Sequence, residues 1–562
     1  MNMNRFLRYI VVAAVIAAAS SCSKFDEMNK NPYALKDAPA ESFVQPILYN
    51  TEYTLVSRSY DLMSELMQYS INYNTEVTSQ MNYNYSITES TDASIWLGLY
   101  IQAGNAEYML SQAKKESNPA MKGVAMVLKA LVMSNIVDAY GNVPYFDALK
   151  IALQKDEVSY TMKYDDMKLI YSDLFALLED ANSAFVEADE MKNSGELSQT
   201  DFSPLCDYMY EGNVDKWRRL GNSLYLRLLM RASLKVEEEG GIMDMSGTDR
   251  PDFNVRNKIA ELYDCFVSEG GDYALMRGRS DAALVGFSKY NSALYTPFYS
   301  TTSGIWNSVI ACETLVNKMY NKKKGLSDPR FYYYFTRPLG APTQLFKSDL
   351  DEFLETHVSA AGNSQVGRYP RGAGNSVGNL QNAEHYALMN YSELLFIFAE
   401  AGQRGLIDIS YPEVKRLYLE AVEQSVLEWN TEETHDSETM TAFLGILSSE
   451  IEADNALETI LTQKWISMFW VGIESWCDYR RTGYPILKTN GPAAGNNYIL
   501  PTRLRYPADE KYRNPVTYQE ALDSWLGGTN NMQTDLWWAS TAESQGNRLR
   551  GRKQQTRYYI SK

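Results

Sequence analysis

The sequence predicts a mostly α-helical protein, a scaffold of helix pairs stacked in the tetratricopeptide manner and interrupted by long irregular loops. Two observations carry this. Apolar residues recur at three- and four-residue steps through a series of long segments, several of them neighbours joined by polar turns. Other segments are too polar, and too rich in Tyr, Gly, Asn or Pro, to form regular elements.

The helices follow in order. Trp96, Leu97, Leu99, Tyr100, Ala103, Ala106 and Leu110 form one broad stripe. Val124 to Val137 makes a second apolar helix that ends near Tyr140-Gly141, with Pro144 beyond, a Gly-then-Pro stop. Met167 to Phe185, Trp217 to Ala232, Tyr391 to Ala401, Val414 to Leu427 and Ile460 to Phe469 repeat the spacing. Paired helices without a strict sequence repeat fit a stack of diverged repeats. Asn72 to Thr91, Glu269 to Trp306, Ala360 to Asn382 and Gly491 to Tyr512 read as long loops, and long ordered loops are often functional.

The N-terminus reads as a targeting segment. Arg5 and Arg8 precede the apolar run Ile10 to Ala19, and Ser20-Ser21-Cys22 follows. Charge, a short apolar run and small residues before a cysteine form a lipoprotein signal peptide over residues 1–21, with Cys22 the lipid-bearing residue. The run is about half the length of a spanning helix. Ala19 stands where a lipobox usually carries Leu. Residues 22–40 form a polar tether. Its Ser23-Lys24-Phe25-Asp26-Glu27 resembles the surface-export signal of Bacteroidetes lipoproteins. No later stretch reads as apolar for long enough to span a bilayer, so lipid alone is expected to hold the protein. Residues 41–562 form a single domain with loop insertions near 72–91, 269–306 and 360–382.

Composition narrows the function. A net charge of −17 excludes nucleic acid as a partner, because phosphates need a basic patch, and Lys322-Lys323-Lys324 is a solvated turn. Cys206, Cys265, Cys312 and Cys477 are far apart, with no CxxC, so buried free thiols are expected. The 41 Tyr outnumber the 19 Phe, and there are 10 Trp, so rings with a polar handle dominate. Such rings suit half-apolar, half-wet ligands such as sugars, and they also fill gaps in large helical cores.

Several motifs occur in a fixed order. Asn31-Pro32 lies past the tether. Ala130 to Ala148 contains Tyr140-Gly141-Asn142-Val143-Pro144-Tyr145. Gly212 to Arg231 carries Trp217 and Asn222-Ser223-Leu224. Then come Asp328-Pro329-Arg330, Met389 to Gly405, and Gln463 to Pro485 with Arg480-Arg481-Thr482-Gly483. Pro501, Arg503, Tyr506-Pro507, Asn514 and Trp537-Trp538 close the series. Together they resemble the SusD/RagB family of nutrient-binding outer-membrane lipoproteins from Bacteroidetes, over almost the whole mature chain. The resemblance implies a protein that binds without catalysing. Its members lie on a SusC-like TonB-dependent transporter at the outer membrane and pass it glycans, or in some cases peptides. Physically the motif residues read as scaffold. Arg227, Arg480 and Arg481 have the reach to pair with carboxylates or carbonyls between elements, and Gly483 and Pro485 set a turn.

No enzyme stands out. His357, His385 and His435 make no HExxH or other close metal spacing, and no metal or cofactor site is read. Gly374-Asn375-Ser376-Val377-Gly378 matches GxSxG. The polar residues before it cannot form the strand that a nucleophile elbow needs, so a serine hydrolase is the least favoured reading. Glu474 and Asp478 read as scaffold partners of nearby arginines, not as a glycosidase pair. Ligand candidates lie in the loops: Tyr73, Tyr83 and Tyr85; Arg279, Tyr290, Asn291, Tyr295, Tyr299 and Trp306; Arg368, Asn375 and Asn379. Trp96 is assigned to the core. The leading reading is glycan capture; peptide capture, or a structural lid for the transporter, are the alternatives.

Overall fold

The computed structural model describes residues 38–72, 81–153, 161–287, 309–321, 323, 325–335, 337–357, 385–428 and 437–553. The signal segment, Cys22, the tether to residue 37 and the GxSxG segment lie outside them. The unit Ala40–Lys562 is built on helices. These are α1 (Val44–Arg58), α2 (Glu89–Lys115), α3 (Pro119–Tyr140), α4 (Met167–Ser194), α5 (Val214–Glu238), α6 (Val255–Ser268) and α7 (Lys347–His357). The C-terminal half adds α8 (Tyr391–Gln403), α9 (Tyr411–Glu428), α10 (Ser437–Glu450), α11 (Ala456–Ser467), α12 (Glu474–Thr482), α13 (Pro515–Trp525) and α14 (Ala542–Lys553).

Neighbouring helices pack in sequence, α2 on α3, α3 on α4, α4 on α5 and α5 on α6, with a second run of α8 on α9 and α9 on α10. α5 also meets α8 and α12, joining the two runs. Side chains cap the starts of several long helices. Thr88, Asn118, Asp166, Asn213 and Asn254 each accept a backbone N–H in the first turn of the helix that follows, satisfying donors that a helix start leaves open. Gly141 ends α3 at φ +88, a conformation that side chains rarely adopt, and Trp525 and Leu536 fill the space that a Cβ would need.

α3 corrects one expectation. It has the length and apolar composition to cross a bilayer, yet nearly every residue of it is buried by α2, α4 and α5. A helix that is apolar all round can be the centre of a large core. Trp96 is buried as expected, whereas Leu97 faces outward at 64% exposure. Cys206, Cys265, Cys312 and Cys477 are free thiols, with Cys206 half-buried and the others buried.

The family motifs form the buried polar framework. Arg227 of α5 donates to Glu393 of α8 at 2.7 and 2.5 Å and to the Leu388 carbonyl at 2.8 Å. One turn on, Arg231 pairs with Asp138 of α3 and Glu474 of α12. Arg481 grips Glu400 at 2.6 and 2.8 Å, and Asp478 pairs with Arg481 and Lys464. Arg330 is fully buried on Asp328, Ser425 and Gln463. Glu474 and Asp478 are thus the scaffold partners anticipated from their place near the arginines.

Among the described residues strands are few and short, in four antiparallel ladders: β1 (Ser70–Asn72) with β5 (Val309–Ala311), β2 (Ile242–Met243) with β3 (Phe253–Asn254), β4 (Ala283–Gly286) with β8 (His385–Met389), and β6 (Tyr320–Asn321) with β7 (Leu326–Ser327).

Candidate functional site

Two of the ladders gather the ends of the long loops. β1 ends at Asn72 and β5 begins at Val309, and these two residues are register partners. β4 ends at Gly286 opposite His385, the first residue of β8. Segments 73–80, 288–308 and 358–384 lie outside the described residues, but these pairings fix the start of the first, both ends of the second and the end of the third. Segment 288–308 starts two residues past Gly286, beside the point where 358–384 ends. It ends at β5, beside the point where 73–80 starts. The sequence places these loops far apart; the two ladders bring their roots together in pairs.

A line of rings runs from the β4/β8 ladder to the helical stretch that starts the domain. Phe287 lies 5.6 Å from Tyr386, Tyr386 lies 6.2 Å from Trp470, and Trp470 lies 5.4 Å from Tyr60. Tyr60 belongs to a π-helical turn, Ser59–Met63, set between α1 and the short helix Ser64–Leu66. Such turns re-aim side chains and are frequent at functional sites. The Trp470 indole donates to Ser64 Oγ at 3.1 Å, which holds the turn against the rings.

Beside this turn is a polar cleft of about 330 Å³ lined by Arg58, Asp61, Glu65, Asn72, Asn82, Ser90 and Thr91. Arg58, Asp61 and Glu65 come from one helical stretch, and Asn72 and Asn82 flank the 73–80 segment. Arg58 pairs with Asp61 at 2.8 Å. Glu65 accepts the backbone N–H of Asn72 at 3.1 Å and of Tyr83 at 3.0 Å, so it clamps both roots of the segment. Asp61 Oδ1 and Asn82 Oδ1 are buried and have no hydrogen-bond partner among the described residues. Buried acceptors of this kind are costly unless something donates to them.

Burial pushes the Glu65 carboxyl up to about 8, against the pull of the Asn72 and Tyr83 N–H groups, and Asp61 adds to the rise. Burial likewise raises Asp61 to about 6, against the pull of Arg58. The folded protein therefore holds a proton on Glu65 that the unfolded chain, near the ordinary 4.5, releases. Where the folded state binds more protons, stability falls as pH rises. Between about pH 5 and pH 8 the wild type is expected to lose on the order of 1–3 kcal/mol from this group. Urea unfolding of wild type and Glu65→Gln at pH 5.5 and 8.5 checks it; equal pH slopes in the two proteins would sink the assignment.

The structure places the sequence candidates unequally. Tyr83 and Tyr85 are corrections: both are fully buried, so neither offers a ring face to a ligand. The Tyr85 hydroxyl meets Gln344, and Tyr83 backs onto Ile71, Ile310 and Leu350. A buried Tyr is tolerated where its hydroxyl finds a partner, and Tyr85 sits at φ +69, turning the segment inward. Arg279 is exposed, and its Nη1 donates to the Leu427 carbonyl at 2.6 Å in the last turn of α9. Tyr73, Tyr290, Asn291, Tyr295, Tyr299, Trp306, Arg368, Asn375 and Asn379 lie outside the described residues. The cleft residues were absent from the sequence candidates. Their signal was present: Arg58, Asp61 and Glu65 follow helical spacing on one face, immediately before the Tyr-rich loop.

The comparisons with known proteins agree with this architecture. The model of a SusD-like family, "Starch-binding associating with outer membrane", matches residues 32–507. The chain belongs to this SusD-like family. Among solved structures, a SusD homologue from Bacteroides fragilis superposes with a TM-score of 0.68 at 21% identity, covering 89% of this chain and 100% of that one. A SusD homologue from Bacteroides uniformis gives 0.66 at 20% identity, with coverage of 90% and 100%. A chitin-binding SusD homologue from Flavobacterium johnsoniae gives 0.66 at 19% identity, with coverage of 90% and 99%. At these identities the likeness shows the fold. No curated protein matches the chain by sequence.

Proposed function

We propose that this protein captures an oligosaccharide or polysaccharide at the cell surface and hands it to a SusC-like TonB-dependent transporter, without chemistry of its own. The observation that carries the reading is the cleft at the loop roots, with acceptors on Asp61 and Asn82 that lack donors. A sugar offers several hydroxyl donors at close spacing, and the neighbouring Tyr- and Asn-rich loops supply the ring and amide chemistry such ligands need. Family membership supports capture of glycans at the outer membrane, and the Flavobacterium relative binds chitin. A lipid on Cys22, with Ser23 to Pro32 as slack, would hold the protein beside its transporter; several acyl chains anchor stably where one does not.

Isothermal titration of the protein purified from membranes, against maltoheptaose, chitohexaose and a control hexapeptide, tests the capture. Saturable binding of a glycan is expected. Binding of the hexapeptide alone, or of nothing, would overturn the glycan reading. Incorporation of a fatty-acid analogue, lost in Cys22→Ala, tests the anchor.

A further inference from the structure

Residues Gly495 to Ile499 form a left-handed turn. Asn496, Asn497 and Tyr498 follow one another at φ +50, +55 and +62. Non-glycine residues seldom adopt this conformation and pay on the order of 1–2 kcal/mol each when they do, with Asn the most tolerant. A run of three that includes a tyrosine needs strong support from its surroundings.

That support is present. The Gly495 N–H donates to the Asn84 carbonyl at 2.5 Å. Asn496 Nδ2 donates to the Ile499 carbonyl at 2.9 Å, and Gln533 Nε2 donates to Asn496 Oδ1 at 3.2 Å. The Tyr498 and Ile499 N–H groups close the turn onto Gly495 and Asn496. Just upstream, Gln344 accepts the Gly491 N–H on its side chain and the Ala493 N–H on its carbonyl. The turn is thus held rigidly against residues 84–86, two positions from Asn82 in the cleft wall.

What the turn presents is not used inside the protein. Asn497 is exposed and Tyr498 is 47% exposed. Neither side chain has a hydrogen-bond partner among the described residues, whereas Asn496, pointing inward, has two. A fold that holds three residues in a costly conformation, and gains from the last two only an outward ring and an outward amide, has positioned them for something outside itself. A ring beside an amide is the pair that a sugar recognises, one stacking on its C–H face and the other bonding its hydroxyls.

We infer that Asn497 and Tyr498 are ligand-contacting residues, a preorganised platform for a glycan, held on segment 84–86, where Asn84 and Tyr85 are buried. The inference rests on the glycan-capture reading. Glycine relaxes the left-handed strain, so Tyr498→Gly separates function from packing. The experiment titrates membrane-purified wild type, Tyr498→Gly and Tyr498→Phe with maltoheptaose and chitohexaose, and records each Tm. Tyr498→Gly is expected to weaken binding about five- to tenfold, the scale of a ring contact, with Tm unchanged or raised. Tyr498→Phe, which keeps the ring, is expected to stay within about twofold of wild type. Wild-type binding with Tyr498→Gly equally tight overturns the platform and leaves glycan capture standing. So does a fall in Tm that accompanies the loss, or a Phe variant as weak as Gly. A wild type that binds neither glycan overturns both.

Discussion

Arg231→Met is expected to cost about 3–5 kcal/mol of folding stability, the usual penalty for breaking a buried ion pair from one side. Arg231 is 5% exposed and links Asp138 of α3 to Glu474 of α12. Methionine fills much of the same space without the charge. Asp138 would keep the Tyr171 hydroxyl at 2.6 Å and the Trp538 indole at 3.0 Å, but no cation would remain paired with its carboxylate, since Arg480 donates only to its backbone carbonyl. Glu474 would keep only Arg227, at 3.5 Å and already engaged by Glu393. Burial already raises the Asp138 carboxyl and Arg231 opposes the rise, so without the arginine it protonates more readily and the deficit should narrow as pH falls toward 4. Guanidinium unfolding at pH 7 and pH 5 measures both effects. A loss under about 1 kcal/mol at pH 7 would show that water or rearrangement replaces the arginine.

Trp476→Ala is expected to be comparably severe, about 3–5 kcal/mol, for a different reason. The ring is fully buried, and the Arg480 guanidinium lies 3.5 Å from its centroid. Its indole N–H donates to the Pro501 carbonyl at 2.7 Å. Arg480 in turn reaches the Asp138 and Thr502 carbonyls at 2.6 and 3.1 Å, and its other flank meets Trp538 at 4.8 Å. Alanine would leave a cavity, one carbonyl without its donor and a guanidinium with one bare face. Affinity of the folded variant for a glycan should nonetheless stay within about twofold, because the ring lies in the core and not at the loop roots. A variant that keeps its denaturation midpoint but loses the ligand would reverse that assignment.

The comparison of sequence with structure divides along physical lines. α2, α4, α5, α8 and α9 were legible because one face is apolar at helical spacing and the other is polar. α12, Glu474 to Thr482, was legible as scaffold only through its motif and the reach of its arginines, because it has no apolar stripe, yet Arg480 and Arg481 are 0% and 1% exposed. Hydrophobic periodicity cannot register a core built from paired charges. The β1/β5 and β4/β8 pairings were also hidden, since strands of three to five residues carry little pattern and their partners are distant in sequence. The Tyr-rich segment misled in one respect. Composition marked a candidate region, but it could not say that Tyr83 and Tyr85 turn inward while the ends of the segment line the cleft. For Tyr498 a signal existed in Gly495-Asn496-Asn497, the residues most tolerant of left-handed backbone, one position before an aromatic.

The pinning of loop roots on short ladders has a consequence for how such a protein changes over generations. Residues 73–80 and 288–308 depart from and return to fixed backbone positions that the helical stack maintains without their help. The entropic cost of a longer connection grows only with the logarithm of its length, about 0.6 kcal/mol for each doubling. Insertions, deletions and wholesale rewriting between these roots are therefore nearly neutral for the stack. The sequence between the roots can be rewritten while the framework of Arg231, Trp476 and Arg481 stays as it is. A replacement cut at Asn72 and Met81, or at Phe287 and Val309, is expected to leave the stack folded.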